Sequence, residues 1–453
     1  MRLEAALAVA VCAVAFGGCF TAMRRAVWAG VVAMLAVGYL YGIVRANIDS
    51  PLAQFVYDAA LAGFFIAALA RPLGVGQRLR MRPLMPWMLC LMGWPTLLLL
   101  VPAQHPLIQL VGWRGNVLFV PFILIGGMIE DADVRMIARG VAMMNLAVLA
   151  LALAETVIGV PSFYPQNALD AIIYNSTDVF FNGARHFRIP ASFANSAAYA
   201  TNMVASMPLL LGGLNVEAAR SWNRRLLLAA IAASAIGVFL AASRAEAAML
   251  ILMVLIISFS PRRDQFPRLA WLALVVLIAI LVALTPRLQR FLTLGEPGMV
   301  AARLQRSVNE SFIELVEEYP LGNGLGGGGT SIPHFLQPLV KDPIGLENEY
   351  ARIVAEQGLP GLALWLGFFG WVLMRAAPHR RDPWAAGRRL AWLFCAISFA
   401  AAVVGTGLLN AIPQTATLLM FAGWTAAAGT AASPRRRVPQ SENYMIDPRA
   451  RRA

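Results

Sequence analysis

Residues 224–260 read RRLLLAAIAASAIGVFLAASRAEAAMLILMVLIISFS, and the fold turns on whether they form one helix or two. As a single helix rising about 1.5 Å per residue the stretch would be roughly 55 Å long, against a hydrocarbon core of about 30 Å. Arg220, Arg224 and Arg225 lie at or before its start, and Arg262, Arg263 and Arg268 follow it. Short basic connections stay on the cytoplasmic side of a membrane, so both ends belong there and the chain must cross twice. The turn between the crossings is expected near Ser243-Arg244-Ala245-Glu246, although neither Gly nor Pro is present to make it. That places Arg244 at the outer membrane face.

The pattern extends in both directions. Of the 453 residues 59% are hydrophobic and only 13% charged, about half the charged share of an ordinary soluble domain, which excludes a soluble globular protein. Apolar runs fall near 3–23, 26–44, 52–70, 85–102, 112–129, 137–160, 190–213, 226–242, 246–260, 267–285, 346–374, 390–408 and 413–432. The expected fold class is all-α, a polytopic transmembrane helical bundle of about 12–13 spans with a large outer loop containing short helices. The expected organisation is N-terminal transmembrane helices over 1–160, an outer loop over 161–187, and transmembrane helices with outer-face arginines over 188–285. A large outer loop over 286–345, C-terminal transmembrane helices over 346–432 and a basic cytoplasmic tail over 433–453 complete it.

The net charge of +13 would suggest nucleic-acid binding in a soluble protein, but here the basic residues sit in short loops and act as topology signals. With 71–82 (Arg71, Arg78, Arg80, Arg82) taken as cytoplasmic, alternate connections collect about two-thirds of the 37 basic residues and one-third of the 24 acidic ones on that side. Both long loops and the N-terminus then fall outside. Residues 1–19 have the outline of a lipoprotein signal ending at Cys19, yet Phe16-Gly17-Gly18 is a poor match, Glu4 is acidic and further spans follow at once. A first membrane helix is expected instead. Cys12, Cys19, Cys90 and Cys395 all lie in apolar runs without metal-ligand spacing, so neither disulfides nor a metal site is expected.

Charged residues near the outer face are the candidates for chemistry. Arg188 opens the run 190–213 from its outer end, Arg244 sits in the outer turn, and Arg114 lies in the outer part of 112–129. Single arginines at helix ends snorkel to the interface at little cost, but three at one level can act together. A guanidinium stays ionised and binds phosphate oxygens with two parallel bonds, which suits an anionic lipid phosphate or diphosphate. Asp58, inside the third run, is placed to pair with one of these arginines or to hydrogen-bond within the bundle. His334 and His186 are external, His105 lies in a short outer loop and His379 is cytoplasmic.

The second outer loop has internal pattern. Apolar spacing over 299–319 predicts an amphipathic helix at the membrane face. The stretch Pro320-Leu321-Gly322-Asn323-Gly324-Leu325-Gly326-Gly327-Gly328-Gly329-Thr330 follows. It lacks the Gly-Lys-Ser/Thr ending of a nucleotide loop and follows no strand, so a mobile loop is expected ahead of a phosphate cradle. Glu347 and Glu349 then stand where the loop enters the run 346–374. Carboxylates there complement a helix dipole or serve as bases beside the arginines.

Three segments together resemble the bacterial O-antigen polymerase and ligase superfamily, the Wzy/WaaL-type integral membrane glycosyltransferases. The first is Arg188-Ile-Pro-Ala-Ser-Phe-Ala-Asn195, similar to an Arg followed by a Phe-x-Asn segment at a helix head. The second is Ala242-Ser-Arg-Ala245 before an apolar helix. The third is Tyr319-Pro-Leu-Gly-Asn-Gly-Leu-Gly326 with Glu347 to Gly361. The resemblance implies transfer of a glycan from undecaprenyl diphosphate or a similar polyprenyl diphosphate to an acceptor sugar, with no metal or nucleotide cofactor. It further implies a multi-pass protein of the bacterial inner membrane with its active site at the periplasmic face, and Arg188 and Arg244 as diphosphate ligands. The expected partners are the lipid-linked oligosaccharide donor, a glycan acceptor, membrane lipids and a chain-length regulator, without nucleic acid. Family ligases usually carry His before Asn-x-Tyr, whereas this chain has Glu347.

The leading expectation is therefore a polymerase of surface or exopolysaccharide repeat units. An O-antigen ligase acting on lipid A core or protein is the same chemistry with another acceptor, and a flippase or transporter is the alternative class. Against the latter, the halves of the chain look unlike and the polar content is gathered in two outer loops. The topology itself is testable: in a cysteine-free background, Thr330→Cys should react with an impermeant maleimide in intact spheroplasts and Gln440→Cys only after lysis. The opposite pattern would reverse the assignment of sides.

Overall fold

A computed structural model describes residues 2–166, 173–174, 179–181, 184–218, 220–258, 305, 312–329, 332–344, 346, 348–375, 382–403, 405 and 407–427. The chain begins with helices Arg2–Arg25 (α1) and Val27–Asn47 (α2), then a 3-10 turn Pro51–Phe55 that runs into Val56–Leu69 (α3). Short Val75–Met81 (α4) precedes Met85–Leu98 (α5), Pro106–Val117 (α6), Phe122–Met128 (α7) and Asp131–Ile158 (α8). A two-stranded hairpin, Val179–Phe181 (β1) with Ala184–His186 (β2), leads to Ser196–Leu214 (α9), Trp222–Leu240 (α10) and Arg244–Ser258 (α11). Glu314–Glu318 (α12), Glu349–Arg375 (α13), Ala385–Ala401 (α14) and Gln414–Ala427 (α15) complete the described elements.

The fold is an all-α polytopic bundle. Eight helical segments among the described residues are long and apolar enough to cross a membrane, from Leu3–Arg25 to Glu349–Arg375. α5, α11, α14 and α15 are shorter, and the apolar run 267–285 lies outside the described residues. The expected run 112–129 begins earlier than hydropathy suggests: Pro106 opens α6, the His105 ring accepts the Leu107 amide, and Pro121 separates α6 from α7. The hairpin was not expected in 161–187; it pairs antiparallel, Val179 opposite His186 and Phe181 opposite Ala184. Most of the amphipathic stretch 299–319 lies outside the described residues, of which α12 is its described end.

Polar residues start these helices where the sequence offers them. Ser50 accepts the Leu52 amide before Pro51, Asn195 accepts the Ala198 amide ahead of α9, and Ser221 accepts the Arg224 amide ahead of α10. Glu130 and Asp133 form a capping box on α8.

α9 is buried along almost its whole length and packs against α8, α10 and α14. α7 and α15 meet with backbones in contact: a Cβ at Gly126 would lie 2.0 Å from the Met420 carbonyl, and one at Gly423 2.0 Å from that of Ile123. Small residues at such crossings supply close packing where lipid removes any hydrophobic drive between helices. Asn145 on α8 is the polar centre of the bundle. It accepts from the Tyr39 hydroxyl (2.9 Å) and donates to Ser206 and Ser234 (2.8 Å each), joining α2, α8, α9 and α10.

The contacts define two ends. At one, Arg80 donates to the Gly127 carbonyl, Arg388 bridges Asp131 and Asp382, and Arg139 pairs with Glu217. At the other, Asn47 donates to the Phe163 carbonyl, Glu4 accepts the Asp49 amide and Gln104 donates to the carbonyls of Asn323 and Lys341. The described parts of both long connections thus share the second end, the loop end. For the core, Asn145→Ala leaves three buried hydroxyls short of a partner and should cost about 1–3 kcal/mol. The expected readout is a lower melting temperature in detergent at unchanged helicity; an unchanged melting temperature would show that the hub is dispensable.

Candidate functional site

The turn between α10 and α11 falls where the charge pattern requires it. α10 ends at Leu240, α11 begins at Arg244, and with no glycine present Ala242 takes the left-handed conformation at φ +49. A side chain there is strained by the clash of Cβ with its own backbone, and such strain is concentrated at functional sites. The turn is locked from two sides. Ser243 donates to Glu246 Oε2 at close range, and Thr201 of α9 donates to Glu246 Oε1 at 2.9 Å.

The segment 187–195 lies alongside this turn. Arg188 Nε donates to the Ala241 carbonyl at 2.9 Å, and the Ile189 amide reaches the Leu240 carbonyl at 3.4 Å. Arg188 is thus bonded to the turn that presents Arg244, and both side chains are part-buried. The segment carries a second strained residue, Ala191 at φ +51. Its amide is bound by Glu155 Oε2 (2.9 Å), while the Tyr164 hydroxyl donates to the Ala191 and Phe193 carbonyls. Phe193 stacks on Tyr199, and Gly42 of α2 leaves the room that a Cβ, 2.0 Å from the Phe193 backbone, would fill. The Phe-x-Asn segment therefore has a local reason: Phe193 plugs the core and Asn195 starts α9.

Arg114 stands apart from this arrangement. Its guanidinium embraces Asp58 with two bonds, Nε to Oδ1 at 2.8 Å and Nη2 to Oδ2. Of the two readings open for Asp58, pairing with an arginine is the one realised. Arg114 has its planar fork occupied by a carboxylate.

The start of α13 forms another buried set. Asn348 accepts the Tyr350 amide (2.8 Å), and Glu349 is fully buried. Glu349 Oε1 accepts from Arg352 (2.8 Å), and its Oε2 accepts the Gly407 amide (2.7 Å). Arg352, also fully buried, binds Glu356 at 2.9 Å and Asn116 of α6 at 3.2 Å. Each oxygen of Glu349 is thus engaged in a structural pair. Glu347 and the side chain of His334 lie outside the described residues; the His334 backbone opens a short 3-10 turn.

The glycine-rich stretch is a packed turn, which corrects the expectation of a mobile loop. Residues 325–328 are buried, and the Gly326 amide lies so near Gly112 of α6 that a Cβ there would stand 2.2 Å away. α13 breaks at Gly358, φ +68, and residues 320–323 fill the break. The Asn323 amide donates to the Ala355 carbonyl (2.6 Å) and the Leu359 amide to the Pro320 carbonyl (2.9 Å), so backbone groups freed by the break are paired again. Pattern reading saw glycines; their purpose is close backbone contact.

A cavity of about 570 Å³ opens at the opposite end, lined by Arg80, Glu130, Asp131, Asp382, Arg388 and Trp424. Its two arginines already face carboxylates. The structure thus brings together Arg188 and Arg244 and sets Arg114, Asp58 and Glu349 into separate pairs. Sequence reading passed over Glu155 and the Arg352–Glu356 pair. The signals were present: a lone acid near the end of an apolar run, and an i,i+4 Arg–Glu spacing inside another.

A family model described as O-Antigen ligase (Wzy_C) matches residues 229–366. The matched region contains Arg244, the glycine-rich turn, Glu347 and the break at Gly358, and it supports the O-antigen polymerase and ligase superfamily read from the motifs. No curated protein matches the chain. With its apolar helices, the chain is an integral membrane protein.

The buried triad gives a test of its own. Arg352→Met leaves two carboxylates without their cation and should cost about 3–5 kcal/mol, the range for breaking a buried pair. Little folded protein is expected on size exclusion, and the triple change Glu349→Gln, Arg352→Met, Glu356→Gln should recover most of it. Normal yield of Arg352→Met would show that the carboxylates need no partner.

Proposed function

We propose that this protein joins polyprenyl-diphosphate-linked oligosaccharide repeat units into a surface or exopolysaccharide, by glycosyl transfer at the periplasmic face of the bacterial inner membrane. The observation that carries the reading is the bond from Arg188 to the Ala241 carbonyl, which sets two arginines on one strained turn at the loop end of the bundle. The O-antigen ligase family match supports the same chemistry.

In the transfer, an acceptor sugar hydroxyl attacks the anomeric carbon of the donor glycan. The new C–O bond forms as the anomeric C–O bond to the diphosphate breaks, and the polyprenyl diphosphate departs with the electron pair. Negative charge grows on the leaving group, and fixed guanidinium donors stabilise it most where they are held in place beforehand. Arg188 and Arg244 take this role; Arg114 is a weaker contributor, its fork already closed on Asp58. The acceptor proton requires a base, worth typically ~10²–10⁴-fold. Glu347, next to the capping residue Asn348, is the proposed base, with His334 as the other external candidate and Glu349 committed to Arg352. The ligase reading, with lipid A core or protein as acceptor, is the same chemistry with another acceptor, and the description of the matched family names a ligase.

Arg188→Ala and Arg244→Ala should each abolish polymer at matched membrane levels, and lysine should rescue poorly because a point charge cannot form the two-armed bond. Near-normal glycan from either alanine variant would remove that arginine from the mechanism. Glu347→Gln keeps shape and hydrogen bonding but not basicity, so turnover of purified enzyme should fall by about 10²-fold or more. Turnover within a few-fold of the parent would make Glu347 structural.

A further inference from the structure

Among the described residues Glu155 is the one buried carboxylate that is in no ion pair. It sits at the loop end of α8 with 1% exposure. The buried Glu349 and Glu356 and the part-buried Asp58 each face an arginine, and the part-buried Glu246 accepts from the Ser243 and Thr201 hydroxyls. Its Oε2 accepts the Ala191 amide at 2.9 Å, and its Oε1 has no hydrogen-bond partner among the described residues. Burying a carboxylate on one hydrogen bond is costly, so a role for that bond is called for.

The bond falls at the strained point of the arginine-bearing segment. Ala191 holds a left-handed conformation, three residues beyond Arg188, and Pro190 before it has no amide to share the load. The Phe193 amide closes on the Pro190 carbonyl at 3.1 Å, so Ala191 lies inside a tight turn. Without an acceptor in this interior, the Ala191 amide would be left unpaired and the strained turn would relax. The segment would then draw Arg188 away from Ala241. Among the described residues three further buried hydroxyls lack partners, those of Ser192, Ser196 and Tyr199. All belong to this turn or the first turns of α9, and the Glu155 carboxylate bears electrostatically on the Tyr199 hydroxyl. An amide at position 155 could therefore accept from Ala191 and donate to a neighbouring hydroxyl.

We propose that Glu155 is a positioning residue of the anion site: by holding the Ala191 amide it fixes Arg188 against the turn that carries Arg244. The inference rests on the reading of Arg188 and Arg244 as the diphosphate site. Reach, and not charge, is what the role demands. Glu155→Gln preserves reach and removes the charge, while Glu155→Asp keeps the charge on a side chain one methylene too short.

The test uses the full chain in detergent, with inorganic diphosphate as the probe and affinity read by calorimetry. Glu155→Asp and Glu155→Ala should bind about tenfold or more weakly, as a displaced binding group would. Glu155→Gln should stay within about threefold of the parent, a loss below 1 kcal/mol by the tenfold-per-1.4 kcal/mol conversion. With lipid-linked donor kcat should fall in Glu155→Asp, since a displaced Arg188 stabilises the departing diphosphate less well, and should recover in Glu155→Gln. Asn145→Ala serves as the stability control, since it should lower the melting temperature without loss of diphosphate affinity. Parent-like affinity in Glu155→Asp, or equal loss in Glu155→Gln, overturns the proposal. If the parent binds no diphosphate, or Arg188→Ala binds it unchanged, the anion-site reading itself fails, and the inference with it.

Discussion

A bond from the Arg188 guanidinium to the Ala241 carbonyl ties together chain segments 53 residues apart. Each partner is supplied by a turn that a non-glycine residue makes in the left-handed region, Ala191 on one side and Ala242 on the other. Neither turn would persist in an isolated peptide. Each is held because helices pack around it: α8 supplies Glu155, α9 supplies Thr201 and α2 comes close enough at Gly42 to touch the Phe193 backbone. The two turns are held in place by these neighbours, and in the proposed transfer donors already in place need no rearrangement as charge develops.

The same low-dielectric setting explains the other charged residues within the bundle. A guanidinium surrounded by apolar helices needs acceptors on all sides. Arg352 finds them in Glu349, Glu356 and Asn116, and Arg114 finds them in Asp58. These pairs join helices and consume the charge. Arginines with this geometry hold the bundle together, and Arg188 likewise ties two segments, its Nε donating to the Ala241 carbonyl.

Backbone groups obey the same constraint. Where α13 breaks at Gly358, the glycine-rich turn supplies the missing donor and acceptor, and its glycines allow main chain to lie directly on main chain. A segment that composition marks as loose is thereby one of the closely packed parts of the loop end. The break also separates the first turns of α13, which begin at Glu349 just after the capping Asn348, from the long apolar remainder.

By itself the sequence determined the membrane class, the helical fold, the position of the turn at Ser243–Arg244 and the gathering of both long connections at one end. All of these follow from how apolar and basic residues are spaced along the chain, which is a one-dimensional property. Arg188 and Arg244 stand out as candidates for the same reason, as charges at the edges of apolar runs. Tertiary structure alone decided which charge faces which. Asp58 could have met any arginine at its level, and it meets Arg114; Glu349 looks like a helix-start carboxylate and is locked to Arg352. Glu155 shows in the sequence only as a lone acid near the end of an apolar run, because its partner is the amide of Ala191, 36 positions away. Hydrogen bonds between distant segments depend on the packing of helices about α9, and no local spacing encodes that arrangement.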